Sequence, residues 1–136
     1  MGAIFDSALI GLPVLMAHSA LTLLMFVGAL AIYVWLTPHR EFALVRQNNS
    51  AAAVALGGAM LGLAIPLAAA MANSVSLTEI ALWGGVALVL QLVAFKIVDL
   101  LLRDLSAAIE KGRIAPALVL AATKLSVALI NAAAMS

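Results

Sequence analysis

The sequence predicts an all-α membrane protein whose four transmembrane helices form two tandem helical hairpins. The first observation is composition: of 136 residues, 66% are apolar and 10% are charged, whereas soluble proteins average about 45–50% and about 25%. The second is that four apolar runs each reach the length of about 20 residues that a membrane-spanning helix requires. The third is that the basic residues outside these runs lie in only two of the connecting loops. Lipid is therefore the expected solvent for most of the surface.

The four spans are predicted at 17–36, 50–72, 80–102 and 114–135. The preceding segment, 1–16, is apolar as well. Because proline removes a backbone donor and disfavours a helix interior, Pro13 is expected to separate this segment from the first span. The segment would then form a short interfacial helix or an extra turn. Tyr33, Trp35 and Trp83 lie near span ends, where membrane proteins concentrate aromatic residues.

The basic residues predict the orientation in the membrane. Five of the seven lie in the loops 37–49 and 103–113, namely Arg40, Arg46, Arg103, Lys111 and Arg113. The N-terminal segment, the turn at 73–79 and the C-terminus hold none. The positive-inside rule then predicts that both charged loops are cytoplasmic and both termini are outside.

An internal repeat relates the two halves of this single membrane domain. When 17–72 is laid over 81–136, 14 of 56 positions are identical, and roughly a tenth would be expected by chance in so alanine-rich a chain. The charged loop falls at the same point in both halves. Each half is therefore predicted to be one two-helix unit.

The second span carries a pattern typical of close helix packing. Gly58 and Gly62 form a GxxxG pair, and Pro66 follows on the same face. Glycine lets two helices approach closely where lipid supplies no hydrophobic drive between them. This face is a specific interface within or between chains, or else a generic small-residue face of an alanine-rich helix.

Lys124 is the most informative position, because it lies about three helical turns from Arg113 and cannot easily reach the headgroups. It requires water or a partner, and both Gln91 and Asp99 are candidates. Asn131 is on the same helical face, within a small and polar stripe that should point into the bundle. Three alternatives stay open: a substrate or ion site, a buried structural ion pair, and an uncharged, hydrogen-bonded lysine.

A second polar face lies at the end of the third span. The spacing of Lys96, Asp99 and Arg103 places them on one side of a helix. Either Lys96 extends toward the cytoplasmic headgroups and Asp99 is neutralised by its neighbours, or this face lines a polar vestibule open to the cytoplasm.

Several kinds of chemistry have no support in the sequence. The chain has no cysteine and a net charge of +1, so thiol chemistry is excluded and nucleic-acid binding is not expected. It has no HExxH motif, phosphate-binding loop or nucleophile elbow. We therefore expect no enzyme, no cofactor and no metal site.

The chain resembles the YjfL-like small inner-membrane proteins, whose repeated two-helix unit is domain of unknown function 350. The loop TPHREFALVRQNN at 37–49 and the segment NSVSLTEIALWG at 73–84 carry the resemblance most specifically. It implies four spans, two tandem units and a bacterial inner membrane. Gene neighbours in this family suggest envelope or membrane-stress work. The family supplies no established catalytic residues.

Two functions follow as alternatives. In the first, the protein acts by packing and partnering: it forms a homo-oligomer in the lipid bilayer, and loops 37–49 and 103–113 meet a cytoplasmic protein or anionic headgroups. In the second, it is an oligomeric channel or transporter subunit whose polar path includes Lys124, Gln91 and Asp99. A path requires water at Lys124, whereas a packing role requires Lys124 to be sealed and paired.

Overall fold

A computed structural model describes residues 1–37 and 41–136. The described elements are all helices: α1 Gly2–Leu36, α2 Glu41–Arg46, α3 Ser50–Ala72, α4 Leu77–Leu101, α5 Arg103–Glu110 and α6 Ile114–Ala134. The helices α1, α3, α4 and α6 are long and apolar enough to cross a membrane, which confirms the predicted fold class.

The central helix is α3, which packs against α1, α4, α6 and both short helices. Eleven of its residues are buried, whereas α1 buries only Ala29 and Tyr33. Alanine and glycine dominate the face of α3 that meets α6. Small side chains let the two backbones approach, as expected for helices whose association lipid does not drive.

The first helix differs from the prediction for residues 1–16. It continues without interruption through Pro13, so no separate interfacial helix or turn forms. Proline removes only one backbone hydrogen bond, and an apolar chain keeps its remaining polar groups paired most simply by staying helical. Thr22 lies 3.1 Å from the sulfur of Met71 near the end of α3, so α1 extends about 30 Å beyond that level. Residues 1–17 are exposed.

Each charged loop contains a short helix, whereas its polar composition predicted only a loop. The helices α2 and α5 end in the same turn, at positions 64 residues apart. Asn48 has a φ of 65° and Gly112 a φ of 75°. The amide of the residue after each of them donates to a carbonyl five residues back. In the first loop Asn49 donates to Leu44 at 3.0 Å, and in the second Arg113 donates to Ala108 at 3.3 Å. This is the Schellman end of a helix, and it recurs at positions that the predicted repeat makes equivalent. Arg40 of the first loop lies outside the described residues.

The side chain of Asn49 joins the two halves at this end of the bundle, which we call the basic end (residues 37–49 and 101–113). Its oxygen accepts from the amide of Ala52 at 3.0 Å and caps α3, while its nitrogen donates to the carbonyl of Ile109 in α5 at 2.8 Å. One residue therefore caps a transmembrane helix and holds the second loop against it.

We expect Asn49→Ala to lower the free energy of unfolding by about 1–2 kcal/mol, because it removes a helix cap and a part-buried hydrogen bond together. Unfolding in mixed detergent micelles, followed by circular dichroism, measures this. The matched control is Asn73→Ala, since the Asn73 amide bonds only to Ala69 in its own exposed turn. Equal losses in the two variants would contradict the bridging role.

Candidate functional site

The stripe on α6 that contains Lys124 faces the interior of the bundle. Ala117, Ala121, Lys124 and Ala128 are all buried. A Cβ at Gly58 would lie 2.5 Å from the Cβ of Ala121, and one at Gly62 would lie 2.5 Å from the ring of Phe95. Gly58 therefore allows α3 to sit directly against this stripe, and Gly62 leaves room for the ring of Phe95 on α4. Pro66 is buried on the same helix, which continues through it.

Lys124 is sealed inside the protein with its charge paired. Its side chain is 1% exposed, and its Nζ lies 2.9 Å from Oδ1 of Asp99 on α4, which is 11% exposed. A lone ammonium in this place would be strongly destabilising, whereas a close carboxylate offsets most of that cost. Of the two partners considered from the sequence, the structure brings Asp99 to Lys124 and leaves Gln91 elsewhere.

Two further residues complete this cluster, and both come from the first half of the chain. The Nζ of Lys124 donates to the hydroxyl of Tyr33 at 3.2 Å. That hydroxyl donates in turn to the carboxylate of Glu41, 3.0 Å and 3.2 Å from its two oxygens. Glu41 opens α2 and is 2% exposed. A connected chain of polar groups thus runs from Asp99 through Lys124 and Tyr33 into the first charged loop.

Two aromatic rings lie beside the ammonium. The ring centroids of Tyr33 and Phe95 lie 4.9 Å and 5.2 Å from the Nζ of Lys124. The two rings meet edge to face, with centroids 5.9 Å apart. Rings at this range stabilise a desolvated cation. A cavity of about 10 Å³ beside Asp99 and Lys96 has room for about one water molecule.

A second polar pair lies farther from the basic end. Asn131 donates to Oε1 of Gln91 at 3.1 Å, about 10 Å along α6 from Lys124. The Nε2 of Gln91 is buried and has no partner among the described residues. Phe95 lies one turn from both Gln91 and Asp99 on α4, so its ring separates this pair from the Lys124 cluster.

Lys96 takes no part in either group. Its side chain is exposed, and its Nζ lies 3.3 Å from the carbonyl of Leu36, the last residue of α1. A cation at the C-terminal end of a helix is favourable, since the last carbonyls there lack partners. Asp99 is therefore neutralised by Lys124 on another helix and not by Lys96 or Arg103 on its own side.

Sequence reasoning missed Tyr33 and Glu41. Tyr33 was expected with Trp35 in an aromatic belt, but it is 2% exposed whereas Trp35 is 82% exposed. Glu41 lies in a charged loop where burial is unusual for a carboxylate. The sequence shows only that Tyr33 and Glu41 are eight residues apart, on either side of the end of the first span. This spacing does not predict a contact without knowledge of the fold. Within the described ranges, no group of three histidine or acidic residues is arranged to hold a metal.

The comparison with known proteins now decides the family. The family model described as Domain of Unknown Function (DUF350) matches residues 7–135. The chain belongs to the DUF350 family. Two of its relatives are the proteins named UPF0719 inner membrane protein YjfL of Escherichia coli strain K12 and of Escherichia coli O157:H7. Each is 40% identical over 107 residues, which cover 79% of this chain and 81% of the relative. No solved structure matches the chain.

The family and the four apolar helices make this DUF350 chain a multi-pass inner membrane protein. The match begins at residue 7 and ends at 135, so it contains both members of the Lys124–Asp99 pair, Tyr33 and Glu41. The polar cluster thus lies inside the family domain and not in an appended segment.

Proposed function

We propose that this protein is a non-conducting inner-membrane component that acts by association, with a bundle held in one arrangement by a buried ion pair. The observation that carries the proposal is the state of Lys124. It is 1% exposed and paired with Asp99 at 2.9 Å, and the rings of Tyr33 and Phe95 lie beside its ammonium. A permeating ion or solute needs an open polar surface, and the ammonium of Lys124, which is 1% exposed, does not offer one.

The surfaces for association lie at two places. Under the positive-inside rule, loops 37–49 and 103–113 face the cytoplasm, where Arg103, Asp104 and Lys111 are exposed. They are available to a cytoplasmic protein partner. The setting of envelope or membrane stress rests on the family resemblance.

The second surface is the N-terminal half of α1, which we assign to a homo-oligomeric contact. The whole helix has 35 residues and is about 52 Å long, well beyond the roughly 30 Å of a hydrocarbon core. Residues 2–17 of this helix are all exposed. Because α1 is longer than the hydrocarbon core is thick, lipid cannot cover all of its apolar side chains. Helices of neighbouring copies would cover the rest.

A channel or transporter subunit is the second candidate function, and one observation favours it. The Gln91–Asn131 pair is a second polar group, partly buried, beyond Phe95 in the same bundle. Movement of Phe95 in an oligomer would join the two groups and would bring Lys124, Gln91 and Asp99 into one path.

Flux measurements in proteoliposomes separate the two functions. We expect no proton, anion or small-solute flux above protein-free vesicles for the wild type, for Lys124→Met or for Phe95→Ala. The double variant Asp99→Asn with Lys124→Met serves as a second test protein, because it removes both charges of the pair together.

Wild-type flux that disappears in a folded Lys124 variant would establish conduction and overturn the association proposal. Flux that rises in Phe95→Ala would identify this ring as the barrier of a path and would have the same consequence. Circular dichroism and size-exclusion chromatography of each variant show that it is folded before reconstitution.

A further inference from the structure

A groove at the basic end, between α4 and α5, adjoins the cluster around Lys124 at Asp99. It has a volume of about 590 Å³ and is lined by Lys96, Asp99, Leu100, Arg103, Asp104, Ser106 and Ala107. It lies where α4 ends and the charged loop begins, which is the level of the lipid headgroups if α4 spans the bilayer. A groove at this level is within reach of lipid headgroups.

The groove presents two cations that the protein does not neutralise. Lys96 and Arg103 are both exposed, and neither is paired with a carboxylate among the described residues. Lysine and arginine both bind phosphate oxygens through charge-assisted hydrogen bonds. Their long apolar stems let the charged groups reach the headgroups from a position inside the span.

The buried ion pair makes the groove cationic. Asp99 lies at the groove's inner side, and by itself it would cancel one of the two cations. Because Lys124 engages its carboxylate at 2.9 Å, Asp99 contributes no net charge. The lining therefore retains two cations against the carboxylate of Asp104. Lys124 therefore affects the net charge of the groove, although its own side chain is not exposed.

An apolar border adjoins the cations on the same part of α4. Ile97, Leu100 and Leu101 are 51%, 56% and 76% exposed. Two cations beside exposed apolar side chains match the two chemical parts of a phospholipid, a phosphate and an acyl chain. A soluble phosphate compound would use only the first of these.

We propose that this groove is a binding site for an anionic phospholipid, with the phosphate held by Lys96 and Arg103 and an acyl chain running from Leu100 past Ile97 toward the middle of the span. Zwitterionic lipids carry the same phosphate together with a cationic group, which the side chains of Lys96 and Arg103 repel. The site therefore selects for net negative charge on the lipid. This proposal requires only that the protein lies in the membrane, so the result of the flux experiment does not affect it.

Native mass spectrometry of the detergent-purified protein tests this site. The protein is titrated with phosphatidylglycerol and, in parallel, with phosphatidylcholine of identical acyl chains. We expect tighter binding of phosphatidylglycerol, and a loss of roughly fivefold in its affinity for each cation removed in Lys96→Gln and Arg103→Gln. Lys111→Gln is the matched control, since Lys111 is an exposed cation of the same loop that does not line the groove.

Three results would overturn the proposal. Equal affinity for the two lipids would remove the charge selectivity. An equal loss in Lys111→Gln and in the groove variants would show attraction to the general charge of this end. Displacement of phosphatidylglycerol by glycerol 3-phosphate at matched concentration would show a site for soluble phosphate esters, because the acyl chain would then contribute nothing.

Discussion

Replacing Lys124 with methionine should lower the free energy of unfolding by about 3–5 kcal/mol, the cost of breaking a buried ion pair by removing one partner. The variant leaves Asp99 without its cation and Tyr33 without the donor at 3.2 Å. Methionine is the natural replacement, because Met60 occupies the equivalent position in the first half of the predicted repeat. Reversible unfolding in mixed micelles of a mild detergent and dodecyl sulfate measures the change.

The double variant with Asp99→Asn provides the control for this prediction. Asparagine keeps the size of the aspartate side chain and removes its charge, so most of the lost stability should return. If the single variant is as stable as wild type, the pair does not hold the bundle together. If the double variant is no more stable than the single one, the loss comes from packing and not from the uncompensated carboxylate.

Replacing Gly58 with alanine should destabilise the protein by about 1–3 kcal/mol, the usual cost of forcing an extra carbon into a packed interior. The new Cβ would lie 2.5 Å from the Cβ of Ala121 and 2.8 Å from its Cα. The second contact is with backbone, so α3 and α6 must separate as whole helices. The same unfolding assay in mixed micelles measures the effect.

Gly57 offers a control one residue away on the same helix. A Cβ at Gly57 meets nothing within 4 Å, so Gly57→Ala should be neutral or stabilising by up to about 1 kcal/mol through helix propensity alone. Similar losses at both positions would show that α3 is sensitive to any substitution and that Gly58 has no special contact. A loss at Gly58 alone would show that its small size sets the distance between the helices.

The positions of the spans could be read from the chain because they depend on local properties. A run of about 20 apolar residues buries its backbone polar groups in lipid only as a helix, and each predicted span is present as one. A turn was predicted over 73–79, but α4 already begins at Leu77, because Ser76 caps it by accepting from the amide of Glu79 at 3.2 Å. Pro13 and the short helices α2 and α5 were misjudged, because proline and polar residues bias helix formation without deciding it.

The candidate site was only half readable. The sequence alone determined that Lys124 requires a partner, since a central intramembrane charge is costly in any fold, and that its stripe turns inward. Only the tertiary structure decided that the partner is Asp99, that Gln91 pairs with Asn131, and that Tyr33 and Glu41 join the cluster. The physical reason is that helical periodicity specifies which residues share a face of one helix. Which residues meet across two helices depends on how the helices rotate and slide against each other, and here the packing of α3 against α4 and α6 sets that register.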